Sequence, residues 1–164
     1  GRIREITVTI PPFDAEHEHI WTLIQTGKVD EARCLAEDKA RHSDAPGNPH
    51  TFFVLGVALL HSGQLAAAER CLISSVGRDR DNHLGWLYLG IVQLHAGKPD
   101  DALRHLETSK KLGGNAFLLY WGLGHAYEAT GQIPLALAAY READRCDADH
   151  ADVLQKIAQL SQSD

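Results

Sequence analysis

Residues 83–116 read HLGWLYLGIVQLHAGKPDDALRHLETSKKLGGNA, and this stretch decides the fold. Apolar residues recur at helical spacing on both sides of a short turn at Ala96, Gly97, Lys98 and Pro99. A glycine ends one helix readily, and a proline is tolerated in the first turn of the next. The stretch therefore predicts a pair of helices joined by a tight turn.

The same unit recurs on both sides of this stretch at a 34-residue interval. Three kinds of residue share the interval: a turn glycine, a leucine–glycine pair in the first helix and an alanine in the second helix. They are Gly63, Gly97 and Gly131; Leu55-Gly56, Leu89-Gly90 and Leu123-Gly124; and Ala68, Ala102 and Ala136. A period of this length is typical of a solenoid, in which each unit buries its apolar face against its neighbours.

Three of these glycines, Gly56, Gly90 and Gly124, fall inside predicted helices. A glycine there costs about 1 kcal/mol relative to alanine, so a compensating contact is expected. We expect the backbone of a neighbouring helix to approach each glycine closely, with the repeated alanines of the second helices as the opposing surface.

The repeated residues resemble those of the tetratricopeptide repeat family, whose pattern reads W-x2-L-G-x2-Y and then A-x3-F. The matching segments are WLYLGIVQ (86–93) with ALRHL (102–106), YWGLGHAY (120–127) with ALAAY (136–140), and FFVLGVAL (52–59) with AERCL (68–72). Residues 49–150 fit the pattern well, whereas residues 13–48 fit it weakly. The proline that closes the family pattern is replaced by Arg80, Gly114 and Ala148.

The resemblance implies an all-α fold, a right-handed α-solenoid of antiparallel helix pairs with about four repeats and a C-terminal capping helix. The whole chain then forms one such domain. Its predicted parts are an extended leader or linker (1–12), a degenerate N-terminal repeat (13–48), three repeats (49–82, 83–116 and 117–150) and the capping helix (151–164). The leader is predicted to be extended because apolar residues alternate with threonine in residues 6–10 and two prolines follow.

In this family the first helices line a concave surface, and here that surface is expected to be an apolar peptide-binding groove. The candidate groove residues are Trp21, Phe53, Val57, Leu60, Leu84, Leu87, Ile91, Leu94, Trp121 and His125. The alternative for any one of them is a place in the core between tilted helices. The lysine, asparagine and arginine set with which some family members clamp a terminal carboxylate is not visible at these positions.

The sequence therefore predicts a chaperone-like adaptor or scaffold that binds an apolar peptide or helix of a protein partner. The alternative is a recruiting domain of a longer enzyme or secretion/assembly protein whose catalytic part lies outside this sequence. The alternative is favoured by the strand-like leader and by a chain that starts at Gly1 and contains no methionine. A homodimer, or self-binding through residues 3–13, is also kept open.

Composition and motifs argue against several other classes. A net charge of −6 disfavours sequence-independent nucleic-acid binding, and no apolar run is long enough for a membrane span. Because no P-loop, GxSxG, HExxH or dinucleotide-binding motif is present, we expect neither an enzyme nor a cofactor site. The ten histidines show no closed set of ligands, so no metal site is predicted.

The three cysteines, Cys34, Cys71 and Cys146, lack CxxC spacing and are expected to be buried or half-buried free thiols. Free thiols favour a cytoplasmic location. A periplasmic one is kept open because the N-terminus looks truncated or processed.

Overall fold

The computed structural model describes residues 13–42 and 47–162, and all regular structure within those ranges is α-helical. The helices are α1 (Ala15–Gln25), α2 (Val29–His42), α3 (Pro49–His61), α4 (Leu65–Arg78), α5 (His83–His95), α6 (Pro99–Lys111), α7 (Phe117–Ala129), α8 (Ile133–Cys146) and α9 (Ala151–Ser161). The predicted leader (1–12), residues 43–46 of the degenerate repeat and residues 163–164 of the predicted capping helix lie outside the described residues.

A glycine in the left-handed region closes each turn from a first helix to a second helix. Gly63, Gly97 and Gly131 have φ of +78°, +76° and +79°, a conformation that costs other residues energy because of their Cβ. At the central turn the N–H of Lys98 donates to the carbonyl oxygen of Gln93 at 2.9 Å, which satisfies a carbonyl at the end of α5. The repeated turn is thus specified by the backbone freedom of glycine.

Helices that follow one another in the chain pack together, from α1 and α2 to α8 and α9. The first helices also pack side by side. Helix α3 contacts both α1 and α5, and α5 contacts α7. They form an inner layer, and α2, α4, α6 and α8 form the outer one. This arrangement confirms the predicted all-α solenoid of helix pairs.

The helical glycines lie where the predicted close packing occurs. A Cβ built on Gly90 would be 2.6 Å from Cγ of Leu106 and 3.2 Å from the carbonyl oxygen of Ala102. The equivalent Cβ atoms on Gly56 and Gly124 would lie 2.7 Å from Leu72 and 2.5 Å from Tyr140. The nearest opposing group is therefore the large side chain four residues after the alanine, rather than the alanine expected from the sequence.

The burial expected for two of the three cysteines is wrong. Cys34 and Cys146 are exposed and Cys71 is half-buried, and all three thiols are free. Each lies on a second helix, which contributes only one face to the core.

No helix within the described ranges is both long enough and apolar enough to cross a membrane.

Candidate functional site

A cavity of about 770 Å³ lies on the side of the solenoid formed by the first helices. It extends from the C-terminal half of α3 across α5 and α7 to the start of α9, and we call it the main groove. Its lining residues are Leu60, His61, Gly63, Leu65, Tyr88, Ile91, His95, Phe117, Leu118, Trp121, His150 and Asp152. Apolar and aromatic side chains dominate this wall, as in most binding sites for small or extended ligands.

Three of the ten predicted groove residues, Leu60, Ile91 and Trp121, line the main groove. The others lie elsewhere on the same side or in the core. Leu84 is 37% exposed at the start of α5, and Leu94 and Trp21 are half-buried against the apolar clusters of the solenoid. Peptide binding by these residues remains a prediction.

Four of the predicted groove residues, Phe53, Val57, Leu87 and Ile91, are almost fully buried, and of these four only Ile91 also borders the main groove. Their side chains are only 2%, 0%, 3% and 3% exposed, respectively. Neighbouring first helices pack so closely that residues pointing toward the inner side are covered by the next unit. These four residues contribute mainly to the core, and Ile91 reaches the groove through its remaining exposed edge.

Aromatic side chains of the neighbouring first helices cover Phe53. The ring of Phe53 stacks on Trp21 at a centroid distance of 5.5 Å and meets the edge of Tyr88 at 5.7 Å. Trp21 and Tyr88 are themselves 6.0 Å apart, so three consecutive first helices share one aromatic cluster. Tyr88 also lines the main groove. Its place there was not predicted from the sequence, because Tyr88 directly precedes the repeated leucine and was assigned neither to the core face nor to the groove face of the helix.

A missing side chain creates room for Ile91. Gly122 occupies the position 34 residues after Tyr88, and a Cβ there would be 2.8 Å from Cδ1 of Ile91. The repeat position that holds a tyrosine in α5 thus holds a buried glycine in α7, where Ile91 packs against it. Gly122 does not belong to the repeated leucine–glycine pairs, so the sequence pattern predicts no packing role for it.

Polar contacts hold the end of the groove formed by α7 and α9. The indole N–H of Trp121 donates to Oδ2 of Asp152 at 2.8 Å, and Nε2 of His125 lies 3.2 Å from the same oxygen. The hydrogen bond from Trp121 lowers the pKa of Asp152 and outweighs the opposing effect of burial, with help from His125 and Lys156. His125, a predicted groove residue, therefore positions a carboxylate at the groove rim.

A second set of contacts fixes α9 one turn further along. Nζ of Lys156 lies 3.1 Å from Oε1 of Glu128, and the hydroxyl of Tyr140 donates to the same oxygen at 3.0 Å. Burial, followed by the hydrogen bond to Glu128, raises the pKa of Tyr140 well above its usual range, so it stays a donor. These contacts make α9 a fixed wall of the main groove.

Histidines form part of the groove rim, at His61, His95 and His150. His95 lies beside Trp121, with ring centroids 6.4 Å apart. Within the part of the chain that the structure describes, no group of three or more histidine, cysteine or acidic side chains is arranged to hold a metal ion. The groove therefore offers apolar contact area with a few hydrogen-bonding groups at its edge.

Solved structures with this architecture share low sequence identity with the chain. MamA (residues 41 to the end) from Desulfovibrio magneticus RS-1 superimposes with a TM-score of 0.74 at 19% identity, over 92% of this chain and 86% of that one. A thermophilic tetratricopeptide repeat protein from Thermus thermophilus superimposes with a TM-score of 0.71 at 19% identity, over 90% and 80% of the two chains. At these identities the likeness concerns the fold.

The sequence matches no curated protein. It does match the family model described as tetratricopeptide repeat, over residues 53–117 and again over residues 89–151. These overlapping matches cover more than half of the chain, in the region where the structure shows the repeated glycine packing. The chain belongs to the tetratricopeptide repeat family, and its fold is that of a protein-interaction scaffold.

Proposed function

We propose that this chain is a non-catalytic scaffold whose main groove binds an apolar peptide or helix of a protein partner. The observation that carries the proposal is the groove itself, an open cavity of about 770 Å³ with a predominantly apolar wall. Exposed apolar surface of this kind is unfavourable in water and usually marks an interaction site. A longer protein that carried this domain would have the same groove available for recruiting a partner.

The shape and chemistry of the groove favour an amphipathic ligand. Leu118, Trp121 and the exposed edge of Ile91 form an apolar strip on α5 and α7, which suits apolar side chains repeated at helical spacing. Asp152 and His150 at the α9 end can accept or donate hydrogen bonds to the ligand backbone. The few polar groups would then fix the direction of a ligand held mainly by apolar contact.

A peptide-selection experiment tests this proposal. Random peptides of about 12 to 16 residues, long enough for three to four helical turns, are selected on the wild-type protein, and binding of the winners is measured by fluorescence anisotropy. We expect the winners to carry apolar residues at i, i+3 or i+4 spacing. Leu118→Glu should weaken their binding at least tenfold, because it places a charge in the apolar strip.

Leu135→Glu is the matched control. Leu135 is 49% exposed on the second helix α8 and lies outside the main groove, so the same substitution there should leave peptide binding unchanged. Circular dichroism of both variants checks that the helices remain folded. Selected peptides that lack apolar residues, or that bind Leu118→Glu as tightly as the wild type, would overturn the proposal.

A further inference from the structure

A second cavity, of about 480 Å³, lies at the N-terminal ends of α3 and α5, away from the main groove. We call it the acidic pocket. Its apolar surface comes from Phe13, Phe53 and Leu84. Leu84 is 37% exposed and Phe13 is half-buried, so a ligand side chain can reach apolar surface here.

Three carboxylates, those of Glu18, Asp79 and Asp81, stand around this apolar surface. Among the described residues lining the pocket there is no lysine or arginine, and no described side chain forms an ion pair with any of the three carboxylates. Burial raises the pKa of Asp79, and the nearby carboxylate of Asp81 adds to this rise, whereas His50 and a hydrogen bond from the backbone N–H of Asp81 oppose it. The pocket therefore carries negative charge whose neutralisation would be favourable.

His50 adds an unsatisfied polar group to the same wall. Both of its ring nitrogens are covered by neighbouring atoms and have no hydrogen-bond partner in the described structure. A covered polar atom without a partner is unfavourable in the folded chain. A ligand with its own hydrogen-bonding groups could satisfy this ring after a small rotation, which a purely apolar ligand could not do.

The chain contains a segment with the complementary chemistry. Residues 2–6 read RIREI, in which two arginines alternate with isoleucines. The leader joins the described structure at Phe13, whose side chain is itself part of the pocket wall. Residues 11 and 12 are both proline, which fixes its own φ and favours an extended conformation at the residue before it, so the sequence predicts a leader that stays extended up to Phe13 rather than one that folds back into the same copy.

We propose that residues 2–6 of a second copy of this chain occupy the acidic pocket, with Arg2 and Arg4 against Glu18, Asp79 and Asp81. Fully extended, the nine residues from Arg4 to Phe13 reach at most about 30 Å. Two copies whose acidic pockets face each other across a two-fold axis can therefore exchange leaders reciprocally. Each pocket is completed by arginines that its own copy does not supply.

Sedimentation velocity of the full chain tests this dimer between about 1 and 100 μM, the range expected for a small charged interface. The wild type should dimerise, and added salt should weaken the dimer. Arg2→Glu with Arg4→Glu should give a monomer, as should Glu18→Lys with Asp81→Lys. Mixing these two double variants should restore a dimer, because both exchanged contacts are then attractive: the glutamate leader meets the lysine pocket, and the arginine leader meets the acidic pocket.

Glu31→Lys with Asp147→Lys is the matched control. Both carboxylates are exposed, one in the first turn of α2 and one at the C-cap of α8, and neither lines the acidic pocket. This variant should dimerise like the wild type, and so should Leu118→Glu, which separates this interface from the main groove. A monomeric wild type across the range, or a dimer that survives reversal of both leader arginines, would overturn the proposal.

Discussion

The middle of the solenoid and its two ends are held together by different chemistry. In α3 to α8 each pair of helices meets where a glycine faces a large apolar or aromatic side chain, as at Gly90 and Leu106. At the ends, α1 and α9 also bury apolar side chains such as Ile20 and Val153, but each end helix is additionally fixed by polar contacts of its own. A repeated unit can reuse one packing solution because it has the same neighbours, whereas an end helix lacks one neighbour and needs contacts of its own.

The N-terminal end shows these individual contacts most clearly. His17 is 1% exposed, its Nδ1 accepts the N–H of Asp14 at 3.2 Å, and its Nε2 lies 2.8 Å from Oγ1 of Thr51. Lys39 is 4% exposed, with Nζ 2.9 Å from Oδ2 of Asp14. The first helix is thus tied both to its own partner α2 and to the next unit by two buried polar side chains, Lys39 and His17.

The largest predicted effect comes from a substitution that disrupts the packing between α5 and α6 in the middle of the solenoid. Gly90→Leu should destabilise the protein by about 3 kcal/mol, because even its Cβ would overlap Leu106 and approach the backbone of Ala102. Urea unfolding followed by circular dichroism measures the change. The same measurement shows whether the variant still unfolds in one transition, as expected if neighbouring repeats unfold cooperatively.

Gly77→Leu is the control for this prediction, since Gly77 is also helical but a Cβ there meets nothing within 4 Å. Replacing an exposed helical glycine should stabilise the protein by up to about 1 kcal/mol. Equal effects at Gly77 and Gly90 would mean that helix propensity alone, rather than contact with the neighbouring helix, determines the response.

A smaller effect is predicted at the N-terminal end. Asp14→Ala removes the N-cap of α1, whose side chain accepts from the N–H of His17 at 2.8 Å, and also removes a partner of buried Lys39. We expect a loss of about 1–2 kcal/mol in the free energy of unfolding, at the upper part of the range for N-cap replacement. Urea unfolding at neutral pH gives the value.

Asn82→Ala provides the comparison, because Asn82 caps α5 by accepting from the N–H of Leu84 at 3.1 Å. No ion pair accompanies that cap among the described residues, so its loss should cost less, about 1 kcal/mol or below. A larger loss for Asn82→Ala than for Asp14→Ala would contradict the importance assigned to the Asp14–Lys39 pair.

The difference between repeated contacts in the middle and single contacts at the ends explains what could be predicted from the sequence. The helix pairs and their turns were predictable because Gly63, Gly97 and Gly131 mark a backbone conformation that few other residues adopt. The burial of Phe53 and Leu87 was not predictable, because a helical face gives the direction of a side chain but not how closely the next helix approaches. Contacts such as Trp121 with Asp152 occur once and have no period to reveal them.

The smallest predicted effect concerns pH and the C-terminal end. The hydrogen bond from Trp121 lowers the pKa of Asp152 in the folded chain below its usual value near 3.8, in spite of burial. A lowered pKa means that the contribution of Asp152 is fully present above pH 4 and is lost as the pH falls through the folded-state pKa. Because its side chain is 41% exposed, we expect less than about 1 kcal/mol.

Asp152→Asn isolates this contribution, since an amide oxygen can still accept from Trp121 but does not titrate. Between about pH 5 and 3 the melting temperature of the wild type should fall further than that of Asp152→Asn, and tryptophan fluorescence should report a change around Trp121. Asp147→Asn, which alters an exposed carboxylate at the end of α8, should follow the wild-type curve. If Asp152→Asn also follows it, the attachment of α9 depends on the apolar contacts of Val153, which is fully buried, more than on the charge at the groove rim. Polar contacts would then contribute more at the N-terminal end of the solenoid than at the C-terminal end, although both end helices also bury apolar side chains.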